Sequence, residues 1–375
     1  MTLQQPGEKP RRRRSLMPAV CDVSVTNACN ASCHFCSFAR DSAVHSPAWI
    51  DPKGFADALP IMYRRGIRYL TLQGGEPLLH PAIEVLISDA RSAGMRVGLI
   101  TNGWLLPQHI EPMAKAGLSF LFVSIDSHSM DEHECNRGLP GLGARIREGL
   151  AGARRLGITT LASVAVNRLL IFDRLPHLLL DLGFEGVNFS YPRREQSASS
   201  PLAFGAESPL TDYHDTELIA IFAAIKALKK RLSVLNPRAG LEEMERHVRG
   251  EEEIFPCVGG HKYFCLDWNL DIWRCEVWSE PMGSVFDLDY IADRRDRCTA
   301  CMITCYRDGS VLMHMGVVAG DIASALARGK LGQAVVFLFR RSVFVSFTAI
   351  AEQLWLIARM RRCVHATSLP TPAPY

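Results

Sequence analysis

The sequence lacks a strong charge of either sign. Its 42 Lys and Arg residues nearly balance 39 Asp and Glu residues, which leaves a formal net charge of +3. Proteins that bind nucleic acids usually concentrate basic residues on one face, so this balance argues against nucleic acid as a partner. The local exception is a run of four arginines at 11–14, within a leader over residues 1–17 that we expect to be a flexible, solvated arm.

The sequence also shows no secretory signal and no long uncharged apolar run. No apolar stretch follows the arginines within the leader, which argues against a signal peptide. In the tail, residues 319–360 are rich in Phe, Val and Leu, but Arg340, Arg341 and Glu352 interrupt them. We therefore expect no window near the ~20 apolar residues that span a bilayer. We expect this tail to form a pair of helices that pack on the rest of the protein or lie at a membrane interface.

Cysteine, by contrast, is abundant, with 12 residues in the chain. Without a secretory signal, and with the cysteines in two tight groups, bound metal or iron–sulfur clusters are favoured over disulfides. The sequence therefore predicts a reducing, cytoplasmic setting and sensitivity to oxygen. An interfacial tail would place the protein on the inner face of the membrane.

The first cysteine group is a C-x3-C-x2-C run formed by Cys29, Cys33 and Cys36. Three thiolates this close in sequence can hold three irons of a [4Fe–4S] cluster, and no fourth cysteine follows in the same loop. The open coordination position indicates a cluster that binds a reactive molecule. A zinc knuckle is the alternative, although a structural zinc site usually has four protein ligands.

With Phe35 before the last cysteine, this run resembles the signature of radical S-adenosylmethionine (SAM) enzymes. The resemblance implies that Cys29, Cys33 and Cys36 bind a [4Fe–4S] cluster and that SAM chelates the fourth iron through its amine and carboxylate. It also implies an external electron donor, such as flavodoxin or ferredoxin. The implied reaction is reductive cleavage of SAM to a 5′-deoxyadenosyl radical, which abstracts hydrogen from a substrate.

Strand-like and helix-like stretches alternate along the first two hundred residues. This alternation predicts an α/β fold with a parallel sheet and crossover helices, and six repeats suggest the partial (βα)6 barrel that the resemblance also implies. The predicted strands cover residues 20–26, 68–73, 96–101, 120–126, 159–166 and 187–191. The predicted helices include residues 52–65, 82–93, 142–156 and 172–182.

The cysteine run follows the first predicted strand and a polar motif follows the second. Parallel α/β barrels carry their active-site residues at these C-terminal strand ends. The motif after the second strand is Gly74-Gly75-Glu76-Pro77. Glycines allow close approach of the backbone, and a carboxylate can accept hydrogen bonds from an ammonium group. The stretch resembles the GGE-P motif that contacts the SAM amine in this family; alone it would be an ordinary turn.

Two further strand ends carry candidate cofactor residues. Asn102 lies in a Thr-Asn-Gly turn after the third strand, which resembles the family pattern but is also a common turn. Ser124 and Asp126 end the fourth strand, where the resemblance implies contacts with the ribose and carboxylate of SAM. Arg137 is the candidate for bidentate pairing with the SAM carboxylate. The alternative for these side chains is capping of loops.

The second cysteine group flanks a predicted β-hairpin over residues 263–275, and a CxxC follows the hairpin. It resembles the SPASM/twitch extensions of radical SAM enzymes, which carry auxiliary [4Fe–4S] clusters. The resemblance assigns Cys257, Cys275, Cys298 and Cys301 to one auxiliary cluster, with Cys305 and Cys265 as alternates. Asn269-Leu270 stands where relatives often have glycine, and a structural zinc site is the alternative.

The predicted organisation has four segments: the leader (1–17), the barrel (18–212), a small α+β cysteine-rich domain (213–310) and a hydrophobic helical tail (311–375). Residues 193–211 are a predicted substrate lid or disordered linker. The expected substrate is a lipid, sugar or other small metabolite, and the alternative is a peptide matured by a SPASM-type enzyme. A non-catalytic iron–sulfur electron carrier or scaffold is the hypothesis from a different class.

Overall fold

The computed structural model describes residues 17–36, 38, 46–192, 208–296 and 298–367, with side chains as far as residue 360. Most of the predicted leader, most of the predicted linker and residues 368–375 lie outside this range. Nine strands are formed within it: β1 (Ala19–Thr26), β2 (Ile67–Gly74), β3 (Arg96–Thr101), β4 (Phe120–Ile125), β5 (Thr159–Ala165), β6 (Gly186–Ser190), β7 (Tyr263–Leu266), β8 (Asp271–Trp273) and β9 (Gly283–Ser284).

The α-helices fill the connections between the strands and form the end of the described chain. In chain order they are α1 (Pro52–Arg65), α2 (Ile83–Ser92), α3 (Leu106–Ala116), α4 (Met130–Arg137), α5 (Leu142–Arg155), α6 (Leu175–Leu182), α7 (Asp215–Leu228), α8 (Arg238–Val248), α9 (Thr304–Ala327), α10 (Leu331–Leu338) and α11 (Arg341–Thr367).

All nine strands belong to one sheet in the order β6-β5-β4-β3-β2-β1-β7-β8-β9. The strands β1 to β6 pair in parallel, each with its neighbour in sequence. This arrangement confirms the predicted partial barrel. Crossover helices between parallel strands bury both faces of a sheet, and the strands accordingly supply much of the hydrophobic core.

The cysteine-rich region continues the barrel sheet. β7 pairs in parallel with β1, so that Asp22 lies opposite Cys265, and β8 and β9 add antiparallel strands outside it. The predicted hairpin is therefore present. Its turn places Leu270 at a φ of 67°, a left-handed conformation that costs a non-glycine residue about 1 kcal/mol. Asp267 stabilises the turn through hydrogen bonds from the backbone of Asn269 and Asp271 and from the indole of Trp273.

Three helices, α3, α4 and α8, were not predicted. α3 contains Pro107 in its first turn and Pro112 in its interior, and an interior proline removes a helical hydrogen bond. α4 has the sequence MDEHECNR, which shows no apolar periodicity. Both helices depend on tertiary contacts that a local pattern does not reveal.

Two helices contradict the expected absence of a long apolar window. α9 and the Arg341–Met360 part of α11 are long and apolar enough, by length and composition, to cross a membrane. This is weak evidence for a span, because the core helix of a soluble protein passes the same test. α9 also runs unbroken across the predicted boundary between residues 310 and 311; the four-segment division stays a prediction.

Asp308 on α9 is buried and accepts a hydrogen bond from Nδ2 of Asn236 at 2.9 Å, while its Oδ1 has no hydrogen-bond partner. Burial raises the pKa of this carboxyl to about 7. In an unfolded chain the pKa of an aspartate is about 3.9. The native state therefore binds more protons than the unfolded state between these values, and stability falls as the pH rises through that interval.

Replacing Asp308 with Asn should remove this part of the pH dependence. Each unit of pKa shift corresponds to about 1.4 kcal/mol. Asp308→Asn is therefore expected to raise the free energy of unfolding at pH 8 by up to about 4 kcal/mol, with little change at pH 4. Anaerobic urea unfolding at both pH values measures this. The exposed Asp173→Asn change is the control, and an equal gain at both pH values would contradict the prediction.

Candidate functional site

The loop that carries the first cysteine group is fixed where it leaves β1. The hydroxyl of Thr26 donates to the carbonyl oxygen of Ala48 at 2.7 Å and accepts from the backbone N–H of Ala28 at 3.0 Å. Asn27 accepts from the N–H of Ala48 at 2.7 Å. These contacts hold the start of the loop against the segment that leads into α1.

The Gly74-Gly75 pair packs directly on this loop. The N–H groups of Gly75 and Glu76 donate to the carbonyl oxygens of Thr26 and Ala28, at 2.9 and 2.7 Å. A Cβ atom on Gly74 would lie 2.2 Å from the Thr26 oxygen, and one on Gly75 would lie 2.1 Å from the Ala28 oxygen. The two glycines are therefore required for the close approach of β2 to the cysteine loop.

The thiols of Cys29, Cys33 and Cys36 lie close enough for their charges to interact. Burial raises the pKa of Cys29 to about 11 and that of Cys33 to about 12, and neighbouring thiolates contribute to both shifts. The nearby Arg137 acts in the opposite direction and favours the thiolates. A bound metal ion would favour deprotonation far more strongly than one guanidinium.

The donor chemistry of this loop fits an iron–sulfur cluster. It offers three thiols with one guanidinium beside them, and thiolates are the ligands of such clusters. Among the described residues, no group of three or more Cys, His, Asp or Glu side chains is arranged so that it could hold a metal ion.

Glu76 is buried, and its carboxylate already receives three hydrogen bonds from the chain. Its Oε1 accepts from the Leu78 N–H at 3.0 Å and from the Thr101 hydroxyl at 2.7 Å, and its Oε2 accepts from the Asn102 N–H at 2.7 Å. Burial raises the pKa of Glu76 despite these bonds. Glu76 therefore joins the ends of β2 and β3, and its contact with a SAM amine stays a prediction.

Asn102 connects the end of β3 to the cysteine loop. Its side-chain amide donates to Oδ1 of Asn30 at 2.7 Å, and its own Oδ1 accepts from the N–H of Trp104. Two other predicted cofactor residues, Ser124 and Phe35, are half-buried. The ends of β2 and β3 thus contact the cysteine loop, while contacts of these side chains with SAM stay predictions.

Asp126 and Arg137 form a buried ion pair. Nε and Nη2 of Arg137 donate to the two carboxylate oxygens of Asp126, each at 2.7 Å, and the side chain of Asn136 adds a third bond at 2.9 Å. Burial raises the pKa of Asp126, but the charge of Arg137 outweighs it and the pKa is lowered. A bidentate contact between Arg137 and a SAM carboxylate would require this pair to open, and that role stays a prediction.

The second cysteine group gathers the four residues that the sequence assigned first. Burial raises the pKa of Cys275 to about 12 and that of Cys301 to about 11. The charge of Cys257 contributes to both shifts, so the three thiols lie close enough to interact. Cys298 contributes to the raised pKa of Cys257 and Cys301. The hairpin and the CxxC are thus brought to one place.

Two buried arginines lie beside these four cysteines. Arg307 donates to Glu253 and, through Nε, to the carbonyl oxygen of Cys301 at 2.9 Å, and it favours the thiolate of Cys257. Arg274 forms a bidentate pair with Asp296 at 2.6 and 2.7 Å. Guanidinium groups in this position offset the negative charge that four thiolates bring to a cluster or a zinc ion.

A buried polar cluster that the sequence did not reveal lies where β1, β7 and α9 meet. The hydroxyl of Tyr263 donates to Asp22 at 2.9 Å, and the hydroxyl of Tyr306 lies 2.9 Å from Sγ of Cys265 and accepts from the N–H of Glu276 at 3.1 Å. Burial raises the pKa of Asp22 to about 6. The alternating polar positions of β1 are the sequence signal that could have identified Asp22.

Cys305 belongs to this polar cluster. Burial and then the charges of Asp22 and Glu276 raise its pKa. Cys305 and Cys265 pack in the same cluster of side chains as Cys257 and Cys275, and their role as alternate ligands stays a prediction. Nε2 of Gln73 donates to Glu276 at 3.1 Å, and Gln73 directly precedes the glycine pair, so the cluster links the two cysteine groups.

This geometry defines a class: a partial parallel barrel with a three-cysteine loop after its first strand and a glycine-glycine-glutamate turn after its second. Residues 23–173 match the family model of the radical SAM superfamily. This match covers less than half of the chain and includes the three-cysteine run and the Gly74-Gly75-Glu76-Pro77 motif. Members use a [4Fe–4S] cluster and SAM.

Curated relatives match this chain over part of their length. An AdoMet-dependent heme synthase from Methanosarcina barkeri is 34% identical over 141 residues, which are 37% of this chain and 40% of that protein. A GTP 3′,8-cyclase from Stenotrophomonas maltophilia is 33% identical over 157 residues, or 41% of this chain and 48% of that protein. The chain therefore spans about half the length of these relatives or less.

Solved structures share the fold at low sequence identity. Streptococcus suis SuiB bound to S-adenosylmethionine has a TM-score of 0.56 at 14% identity and covers 74% of this chain and 66% of its own. The structure of anSMEcpe with bound AdoMet has a TM-score of 0.54 at 15% identity and covers 72% and 78%. These similarities extend beyond the residues that the family model matches.

Replacing Gly75 with Ala should displace the cysteine loop, because the new Cβ meets the backbone oxygen of Ala28. Gly332→Ala is the matched control, since nothing lies within 4 Å of the corresponding Cβ. After anaerobic reconstitution, we expect Gly75→Ala to lose about four irons per chain relative to the control. Iron and sulfide analysis measures this, and full iron content in Gly75→Ala would contradict the prediction.

Proposed function

We propose that the protein is a radical SAM enzyme whose catalytic cluster is held by Cys29, Cys33 and Cys36. The observation that supports this most directly is the packing of the Gly74-Gly75 turn on the three-thiol loop. When bound, the cluster and SAM supply reductive cleavage to a 5′-deoxyadenosyl radical that abstracts hydrogen from the substrate.

The protein's own residues would bind and orient these groups. The three thiolates coordinate the cluster, with Arg137 offsetting their charge. Glu76 holds the ends of β2 and β3 together beside the loop. Ser124 and Phe35, which are half-buried, are proposed contacts of SAM. Asp126 keeps the guanidinium of Arg137 in position through its two hydrogen bonds.

A second cluster in a SPASM/twitch-like region is part of the proposal. Cys257, Cys275, Cys298 and Cys301 are its proposed ligands, because their charges interact and Arg307 lies beside them. Zinc would also suit four thiolates, so metal analysis distinguishes the two. The described cysteines are all free thiols, which supports a reducing, cytoplasmic setting with a flavodoxin- or ferredoxin-type electron donor.

The proposed substrate is a small metabolite, sugar or lipid. One partial relative is named for the cyclisation of GTP and the other for the synthesis of heme, and both GTP and heme are small molecules. A peptide substrate is the alternative, and transfer of deuterium from labelled candidates into 5′-deoxyadenosine distinguishes the two classes.

The first test of this function is formation of 5′-deoxyadenosine by anaerobically reconstituted protein with SAM and a strong reductant. The combined Cys29→Ala, Cys33→Ala and Cys36→Ala changes should abolish it, because the cluster loses its ligands. Cys135→Ala, at an exposed cysteine, is the control and should retain it. Product formed by the triple variant would refute the assignment, and a wild-type protein that contains iron but binds no SAM would indicate an electron carrier.

A second test separates the two cysteine groups. Wild-type protein should hold about eight irons per chain, and a variant with Cys257→Ala and Cys301→Ala should hold about four. Because the first group is intact, this variant should still cleave SAM but lose turnover of the substrate. Zinc at one equivalent in place of the second four irons would overturn the auxiliary-cluster assignment.

A further inference from the structure

The end of the described chain exposes an unusual amount of apolar surface. Eleven large apolar side chains between residues 326 and 357 are exposed, against nine in all the rest of the described chain. They are Leu326, Leu331, Val335, Val336, Leu338, Phe339, Phe344, Phe347, Leu354, Trp355 and Ile357. Contiguous exposed apolar surface of this kind marks an interaction site. We call α10 and α11 as far as Met360 the apolar hairpin.

The burial pattern of α11 is the reverse of the pattern in a water-exposed helix, because small and polar residues are buried and large apolar residues are exposed. Its buried positions include Ser342, Ser346 and Ala349, whereas Phe344 and Phe347 are 60% and 59% exposed. The hydroxyl of Ser346 donates to a carbonyl oxygen of α9 at 2.7 Å. Helices in lipid pack in this way, with small and hydroxyl residues between helices and large apolar residues outside.

α10 packs against α9 but buries little of its own apolar surface. Ala334 is its one buried residue, while Leu331 and the adjoining Phe339 are 67% and 70% exposed. Full burial of one large apolar side chain stabilises a folded protein by about 1.5–3 kcal/mol. Within the described chain, the exposed side chains of α10 do not gain this stabilisation. The apolar side chains of α10 are therefore available to a surface outside the described chain.

The charge of this region indicates an anionic surface. Residues 322–375 contain seven Lys and Arg and one acidic residue, Glu352, which is paired with Lys229 at 2.8 Å. The guanidinium of Arg340 lies over the ring of Phe337 at 4.6 Å and that of Arg359 over Trp355 at 5.8 Å. Basic groups beside aromatic rings are suited to the headgroup level of a membrane.

The contacts of α11 with the barrel favour a surface contact over a membrane span. Glu352, in the middle of the helix, is paired with Lys229, which directly follows α7, and Gln353 donates to the carbonyl oxygen of Leu235 at 2.9 Å. A span would carry this ion pair into hydrocarbon at high cost. A second copy of the chain is disfavoured as the cover, because it would bring two strongly basic hairpins together.

We propose that the apolar hairpin docks on the surface of an anionic lipid bilayer. The exposed side chains of α10 and α11 enter the boundary between headgroups and acyl chains, and the arginines contact lipid phosphates. The barrel remains on the aqueous side. This proposal rests on α10 and α11 alone and does not depend on the proposed radical chemistry.

The test is flotation of the full-length, reconstituted protein with phosphatidylcholine vesicles that contain or lack phosphatidylglycerol. Wild-type protein should float with the anionic vesicles and be released by alkaline carbonate. The Phe344→Ser and Phe347→Ser double variant should bind at least about tenfold more weakly. Arg340→Gln with Arg341→Gln should lose roughly thirtyfold on anionic vesicles, at about 1 kcal/mol per arginine, and little on neutral ones.

The matched control is Ile171→Ser with Leu180→Ser, which changes two exposed apolar residues outside the hairpin. It should bind as wild type does, and melting temperatures should show that every variant is folded. Wild-type protein that stays in solution with both vesicles would overturn the proposal, as would equal loss in the control. Carbonate-resistant protein would show a span instead, and lipid-independent dimers that require Phe344 and Phe347 would show a second copy as the cover.

Discussion

The two cysteine groups of this protein depend on one strand. β1 pairs with β2 on one side and with β7 on the other. Its C-terminal end leads into the three-thiol loop, and its other neighbour begins the hairpin that precedes Cys275. Because both pairings are backbone ladders, the two thiol groups are fixed relative to a single rigid element. The polar cluster around Asp22 occupies the region between them.

Burial opposes ionisation of the thiols, and nearby arginines compensate for it. Desolvation raises the pKa of the described cysteines of both groups that show a resolved shift. Arg137 lies beside the first group, and Arg274 and Arg307 lie beside the second. Each arginine is itself held by a carboxylate, in Asp126, Asp296 and Glu253. Both sites thus place cations next to buried thiols at fixed geometry, as binding of an anionic cluster requires.

Apolar residues serve two different purposes in this chain. In the barrel they lie along the strands and fill a core between sheet and helices. In the apolar hairpin they lie outside, while serines and an alanine form the contact with α9. Apolar residues therefore stabilise the fold in the barrel and form an exposed apolar surface in the hairpin. If the hairpin rests on lipid, the barrel stands beside a membrane, which suits an apolar substrate.

The sequence by itself determined the local features. Six strands, the hairpin, the three-cysteine run and the glycine turn are patterns within a few residues, and parallel strands place their ends at one edge of a sheet. The tertiary structure decided which side chains meet across long separations: Glu76 with Asn102, Arg137 with Asp126, Tyr306 with Cys265. It also decided which face of α11 is buried. A sequence shows that Ser346 and Phe347 are neighbours, but only packing against α9 determines which of them faces outward.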